Sequence, residues 1–533
     1  MESKKYQAFW RGAIILTIAS FVTKVLSAFY RIPYQNIAGD IGFYIYQQIY
    51  PFYGFCLILA TYGFPIIISK MVAERLERGK KQEAEEIICV SFWFLLGIGF
   101  IGFFTLFFGA EVIATAMGDI HLDKLLRVIS FSFILMPFLS VARGYFQGFN
   151  NMVPTAVSQV IEQTIRVSII VFLSLFLIAH EFDLYTVGAG AMLGSIAGGL
   201  IGIIVLILYM RHDFRSIFFK SVKRIKVKKK IIKILFWQGL AICVSNLVLI
   251  FIQMADSVSF YSLLIGAGEP AESAKVLKGV YDRSIPLMQL GTVVTTSFSL
   301  SLIPIITAAK ERGDLTFIRE KVRLAMKITF VIGFAAAIGL TCIIQPTNIM
   351  LFENSDGSDV LSILSLSILF SSLSITTASI LQGLGQTLKP AIFVVFGGCL
   401  KLVLNYILMP YFGAKGAAIA TLVALIVISV LNSMLLMRAV SESLIDKRNM
   451  LGIVISGFSM GFVLIMFMRV LQMSGLVMDT SHRGVATFEA LLGVAIGGLA
   501  YMFLILKLRV FTKAEIGTVM KKEKKEGSLK KSG

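Results

Sequence analysis

Charge is scarce in this 533-residue chain: Asp, Glu, Lys and Arg make up 15% of it, against about 25% in soluble domains. That shortage excludes an ordinary soluble domain. Histidine is nearly missing, and His121, His180, His212 and His482 lie too far apart to form a metal motif. The five cysteines, Cys56, Cys89, Cys243, Cys342 and Cys399, fall singly in apolar segments without C-x-x-C spacing, so they read as small buried hydrophobes. No cofactor is implied. Carboxylates are also few, 31 against 50 Lys and Arg. A membrane-embedded glycosyltransferase, ligase or polymerase needs positioned acid, base or metal-binding groups in sizeable external loops. Here the only segments of that kind are 180–186 and 346–358, with no paired catalytic constellation, so the chain does not read as an enzyme.

What is abundant is apolar length. With 57% hydrophobic residues and a mean hydropathy of +0.83, the chain carries run after run long enough to cross about 30 Å of hydrocarbon. Fourteen spans are predicted, at 9–30, 41–70, 87–108, 125–147, 155–179, 187–209, 232–255, 280–309, 325–346, 359–384, 389–411, 415–437, 450–472 and 487–507. The opening "MESKKYQAFWRGAIILTIAS" lacks an A-x-A-like cleavage site and its apolar run continues through Lys24. It reads as the first span rather than a leader.

The net charge of +19 reflects the placement of basic residues, which alternate by loop. Loop 71–86, the segment "MRHDFRSIFFKSVKRIKVKKKI" at 210–231, loop 310–325 and the tail "KKEKKEGSLKK" are basic, whereas "HEFDLYT" and "PTNIMLFENSDGSD" are not. That is the positive-inside pattern. It predicts a multi-pass cell-membrane protein with both termini cytoplasmic, and it removes nucleic acid as a partner.

The chain also repeats itself. "FWRGAIILT" at 9–17 is echoed by "FWQGLAICV" at 236–244, "FPIIISKMVAERLERGK" at 64–80 by "IPIITAAKERGD" at 303–314, and "YFQGFNNMVPTA" at 145–156 by "ILQGLGQTLKPA" at 380–391. "VGAGAMLGS" at 187–195 pairs with "KGAAIATLV" at 415–423. Six spans per unit return the chain to the same side, so the units are parallel repeats, with a substrate site expected between them. The fold class is therefore an all-α polytopic membrane protein: two parallel six-helix lobes plus two C-terminal helices. The expected parts are an N-lobe 1–210, a basic linker 211–231, a C-lobe 232–438, two further spans in 439–507 and a basic tail 508–533. Gly190, Gly194 and Gly198 form a small-residue series that reads as helix packing. Pro51, Pro65, Pro137, Pro286 and Pro304 mark either kinks used in rocking or plain packing adjustments.

Polar residues inside the apolar runs carry the functional signal, because a charge at the bilayer centre costs at least about 2.5–3.5 kcal/mol. In "AVSQVIEQTIRVSIIVFLSLFLIA", Gln159, Glu162, Gln163 and Arg166 share one helix face. Two readings stand: a Glu162–Arg166 pair tying two helices together, or Arg166 facing a water-filled cavity with Glu162 holding it. The first span adds Ser20, Lys24, Ser27 and Arg31, of which Lys24 and Arg31 could instead snorkel. The seventh adds Asn246, Gln253 and Asp256, the eighth Asp282, Arg283 and Gln289, and the eleventh Lys401 and Asn405. Cations outnumber carboxylates, which suits an anionic headgroup held by charge-assisted hydrogen bonds. The aromatic "YIYQQIYPFYGF" at 44–55 reads as a lining or an interfacial belt.

The two parallel units, "GAKGAAIAT" at 413–421, a "QG" followed by Pro before the fifth and eleventh spans, and the two extra C-terminal spans resemble the multidrug/oligosaccharidyl-lipid/polysaccharide exporter superfamily. The chain is similar to its bacterial polysaccharide-biosynthesis and lipid II flippase branch, which includes relatives linked to spore cortex formation. "TKVLSAFYR" resembles that branch's first-helix pattern with Lys24 in the basic position, and "YDRSIP" its pattern at Asp282 and Arg283. The second span departs from it, since "QQIYPFYGF" has no basic residue. The resemblance implies a flippase moving a polyprenyl-diphosphate-linked saccharide between leaflets, working as a monomer in the phospholipid bilayer. It also implies a lipid-tail groove at the last two spans and coupling to an ion or the membrane potential. The alternative is a cation-coupled multidrug exporter of the same superfamily, which favours carboxylates in its cavity.

Overall fold

The computed structural model describes residues 2–210, 229–441, 444–473 and 482–512. Most of the expected linker and tail, at 211–228 and 513–533, lie outside the described residues. Within them every regular element is a helix, as a hydrocarbon environment demands of any segment without sheet partners. The first half comprises α1 (Glu2–Phe29), α2 (Arg31–Ile58), α3 (Phe64–Glu77), α4 (Lys81–Phe108), the short α5 (Ala110–Ala116), α6 (Asp123–Gly148), α7 (Val153–Ala179) and α8 (Leu184–Tyr209). The second comprises α9 (Lys229–Ile234), α10 (Leu240–Ser245), α11 (Val248–Gly266), α12 (Ala271–Asp282), α13 (Ser284–Glu311), α14 (Leu315–Cys342), α15 (Ile344–Phe352), α16 (Ser358–Gly383) and α17 (Leu388–Val440). α18 (Lys447–Met473) and α19 (Arg483–Lys507) complete it.

Twelve described segments are long and apolar enough to cross a membrane, against the fourteen expected. Two of the twelve are long, Ile14–Glu77 and Leu388–Val440, of 64 and 53 residues. Each reverses at a glycine of positive φ, Gly39 at 68° and Gly413 at 53°. Tyr30 and Tyr46 share a hydroxyl contact of 2.8 Å across 16 residues, a separation of about 24 Å in a straight helix. The first segment is therefore a helical hairpin, and so is the second, where Lys401 donates to Thr421 across 20 residues.

Two π-helical turns, Leu59–Gly63 between α2 and α3 and Leu235–Gly239 between α9 and α10, each pack against the helix that follows the other. A methyl group on Gly63 would collide with Cys243 Sγ, and one on Gly239 would lie 2.8 Å from the Phe64 ring. Pro65 follows the first of these turns, while Pro51, Pro137 and Pro304 sit inside helices.

The glycine series packs as expected. Methyl groups on Gly194 and Gly198 would meet the backbone oxygens of Arg166 and Glu162 at 2.9 and 2.6 Å. This close approach of α8 holds α7 with its polar stripe turned inward. The largest buried apolar cluster is drawn mainly from Tyr30 to Leu264, and three smaller ones from Val248 to Val510. α18 and α19 pack on α14, through the Phe334 and Phe458 rings and a hydrogen bond from Tyr501 to the Val331 carbonyl. Cys56, Cys89 and Cys243 are buried as expected, whereas Cys342 is half-buried and Cys399 is exposed on α17, since a small apolar side chain is also at home against lipid.

Candidate functional site

A cavity of about 210 Å³ lies in the middle of the bundle, between α1, α2 and α7 on one side and α10, α11, α13 and α16 on the other. Nine of the sixteen polar residues singled out in the sequence line it: Lys24, Ser27, Gln159, Glu162, Gln163, Arg166, Asn246, Gln253 and Gln289. Arg31 stands just behind its wall. It is fully buried rather than snorkelling, and donates to Ser27 and to Gln289 Oε1 at 2.7 Å.

The structure replaces the Glu162–Arg166 pair with a different one. Glu162 Oε2 accepts from Arg143 Nη2 at 2.5 Å, and Arg143 also donates to Thr61 Oγ1 and the Ala60 carbonyl, at the π-helical turn. Glu162 and Arg166 share a face, but α6 brings a closer cation. The partner was missed because it lies 19 residues away. The usable signal was the turn at Asn150, which sets residues on either side of it opposite one another.

Arg166 is consequently left without a carboxylate. It is fully buried, its guanidinium rests over the rings of Tyr30 and Tyr53 at 5.6 and 5.0 Å, and none of its three nitrogens has a hydrogen-bond partner. Arg31 lies over Tyr30 and Tyr50, with Nη2 unpartnered. The tyrosine-rich stretch is thus neither a lipid-facing belt nor chiefly a lining. Tyr44, Tyr46, Tyr50 and Tyr53 are buried, and the negative faces of such rings compensate guanidinium charge. Lys24 likewise has no carboxylate partner among the described residues.

The other charged residues expected at the site are neutralised elsewhere. Lys401 is fully buried, but its Nζ lies 2.5 Å from Asp256 Oδ2 and donates to Tyr281 and Thr421. Asn405 donates to Asp256 Oδ1 at 3.1 Å. Neither lines the cavity, because α17 turns both toward α11. Asp282 pairs with Lys278 at 2.5 Å. Asp256 and Asp282 border a second space of about 30 Å³ that shares Gln253 and Gln289 with the main cavity. Arg283 forms a two-bond pair with Asp40, at 3.0 and 2.6 Å, and also donates to Asn348 and Asn354. It therefore joins the two halves of the molecule at one end instead of lining the cavity. Lys278 and Asp40 were not anticipated, although the four-residue spacing of Lys278 and Asp282 is visible on a helix.

This arrangement leaves Lys24, Arg31 and Arg166 as cations without carboxylates at or beside the cavity. Buried donors without partners are costly, and hydrogen-bond acceptors of negative charge are the chemistry that matches them. No group of three or more His, Cys, Asp or Glu that could hold a metal occurs among the described residues.

The sequence and fold match known proteins. The family model described as polysaccharide biosynthesis protein matches residues 9–310, and the MatE model matches 279–407. An uncharacterised membrane protein, YabM of Bacillus subtilis (strain 168), is 41% identical over 96% of this chain and 94% of its own. From the same organism, lipid II flippase MurJ is 26% identical over 92% of this chain and 94% of its own, and stage V sporulation protein B is 25% identical over 96% and 97%. Among solved structures, lipid II flippase MurJ in an inward closed conformation superposes with a TM-score of 0.67 at 16% identity, covering 93% of this chain and 99% of the other. An inward-facing multidrug transporter of the MATE family gives 0.65 at 16%, covering 80% and 98%.

Proposed function

Since the chain belongs to the polysaccharide biosynthesis protein family, on the lipid II flippase-like branch of the multidrug/oligosaccharidyl-lipid/polysaccharide exporter superfamily, we propose that it moves a polyprenyl-diphosphate-linked saccharide from the inner to the outer leaflet. The observation that carries this reading is the excess of unpaired cations at the central cavity, with Arg166 offering three unpartnered nitrogens. Diphosphate oxygens accept hydrogen bonds from such groups and cancel their charge. The same cations repel a cationic drug, which disfavours the multidrug alternative.

At about 210 Å³ the cavity is below the roughly 300–1,000 Å³ of sites for drug-sized ligands. Loading therefore requires the two halves to part, as alternating access supposes. The basic loops support cytoplasmic termini in the cell membrane, and with that orientation Asp40, Arg283 and Asn354 close the external end. A thiol label at residue 357 is expected to react only from outside; reaction only from inside would invert the scheme.

The direct test is binding of a fluorescent polyprenyl-diphosphate disaccharide to the purified protein. Arg166→Ala removes charge-assisted contacts of about 1.5–3 kcal/mol and is expected to weaken binding about tenfold or more without loss of folded protein. Unchanged binding in both Arg166→Ala and Lys24→Ala would overturn the proposal.

A further inference from the structure

The cavity has two chemically different walls. Its charged lining residues, Lys24, Glu162 and Arg166, all come from α1 and α7. None of the lining residues from α10, α11, α13 or α16 is charged. The charged wall is also the richer in buried donors without partners. The α1/α7 wall offers donors: Arg166 Nε, Nη1 and Nη2 and Gln163 Nε2 have no partner, and an ammonium such as Lys24 only donates.

The opposite wall is neutral and carries acceptors beside the amide groups of Gln253 and Gln289. Thr292 Oγ1 donates to the Met288 carbonyl at 2.8 Å, Thr296 Oγ1 to the Thr292 carbonyl at 2.7 Å, and Asn246 Nδ2 to the Ile242 carbonyl at 2.8 Å. The two hydroxyl oxygens and Asn246 Oδ1 keep lone pairs for a ligand. Gln253 Oε1 is buried with no partner at all. Diphosphate oxygens are charged and only accept hydrogen bonds, so they match the cationic, donor-rich first wall. Sugar hydroxyls are uncharged and both donate and accept, and they match the neutral polar second wall.

We propose that the cavity orients its substrate, with the diphosphate on the α1/α7 wall and an uncharged, hydroxyl-bearing sugar on the wall of Asn246, Gln253, Thr292 and Thr296. This rests on the function proposed above and adds a division of labour: the first wall sets affinity for the lipid diphosphate, and the second sets selectivity for the glycan.

The experiment compares binding of polyprenyl diphosphate without sugar to that of the same lipid carrying an uncharged disaccharide. Gln253→Leu and Thr296→Val, each checked for normal thermal unfolding, are expected to weaken the glycosylated lipid by about two- to tenfold and leave the sugar-free lipid unchanged. Arg166→Gln is expected to weaken both by a similar factor. If Gln253→Leu and Thr296→Val weaken both lipids alike, or neither, the two-walled assignment is overturned. If the wild-type protein binds neither lipid, the proposed function itself falls.

Discussion

Arg143 and Arg166 are the same side chain in opposite circumstances. The first is saturated by Glu162, Thr61 and a carbonyl, and the second has no polar partner. Arg143→Leu strands a buried carboxylate and is expected to cost about 3–5 kcal/mol, read as a lower unfolding temperature in detergent. Arg166→Leu strands nothing and is expected to leave that temperature unchanged or raised. Lys401→Met should resemble Arg143→Leu because it abandons Asp256. The double variant Lys401→Met with Asp256→Leu is expected to recover most of the loss, and a double-mutant cycle measures the coupling. At this scale the sequence was legible only in part. The i, i+3, i+4, i+7 spacing of Gln159, Glu162, Gln163 and Arg166 located the inward stripe of α7. The partner of each charge was not legible, since spacing along one helix says nothing about which cation a neighbouring helix presents. For that reason depth alone suggested Lys401 as a cavity cation when Asp256 already neutralises it.

The elements turn on a few glycines. Gly39 and Gly413 adopt positive φ, and a methyl group on either would meet nothing within 4 Å, so Gly413→Ala is expected to cost about 1–3 kcal/mol through backbone strain alone. Gly63→Ala acts differently, by driving a methyl group into Cys243 Sγ. Its loss of thermal stability is expected to be larger and to be partly recovered in a Cys243→Ala background, whereas that background should not rescue Gly413→Ala. Hydropathy made the spans themselves readable, because lipid imposes length and apolarity together. It could not reveal the π-helical turn at Leu59–Gly63, where the apolar run continues without a break in composition. It also passed over α12, whose "AESAKVLKGVYD" is too polar to look like a span, and with it Lys278.

Across the whole molecule, the pair between Asp40 and Arg283 spans 243 residues and fastens one half to the other. Arg283→Gln is expected to loosen that end, so that a cysteine placed at buried Ser284 in a background without native cysteines becomes more reactive toward a membrane-impermeant thiol reagent. Unaltered reactivity would mean that this pair does not hold that end closed. The internal repeat did not show which residues of one half touch the other: Asp40 and Arg283 lie outside the repeated segments, and although Phe64 and Cys243 lie inside them, likeness between two segments does not say that they touch. The Asp256–Lys401 pair has a further consequence, for the ribosome. Its partners are 145 residues apart, which at about 5–20 residues per second separates their emergence by about 7–30 s. The Arg143–Glu162 pair, 19 residues apart, waits only about 1–4 s at the same pace. During synthesis, then, α11 must keep its carboxylate out of lipid, beside water or the insertion machinery, until α17 delivers the amine. The first half of the chain can bury its own pair almost as soon as it is made.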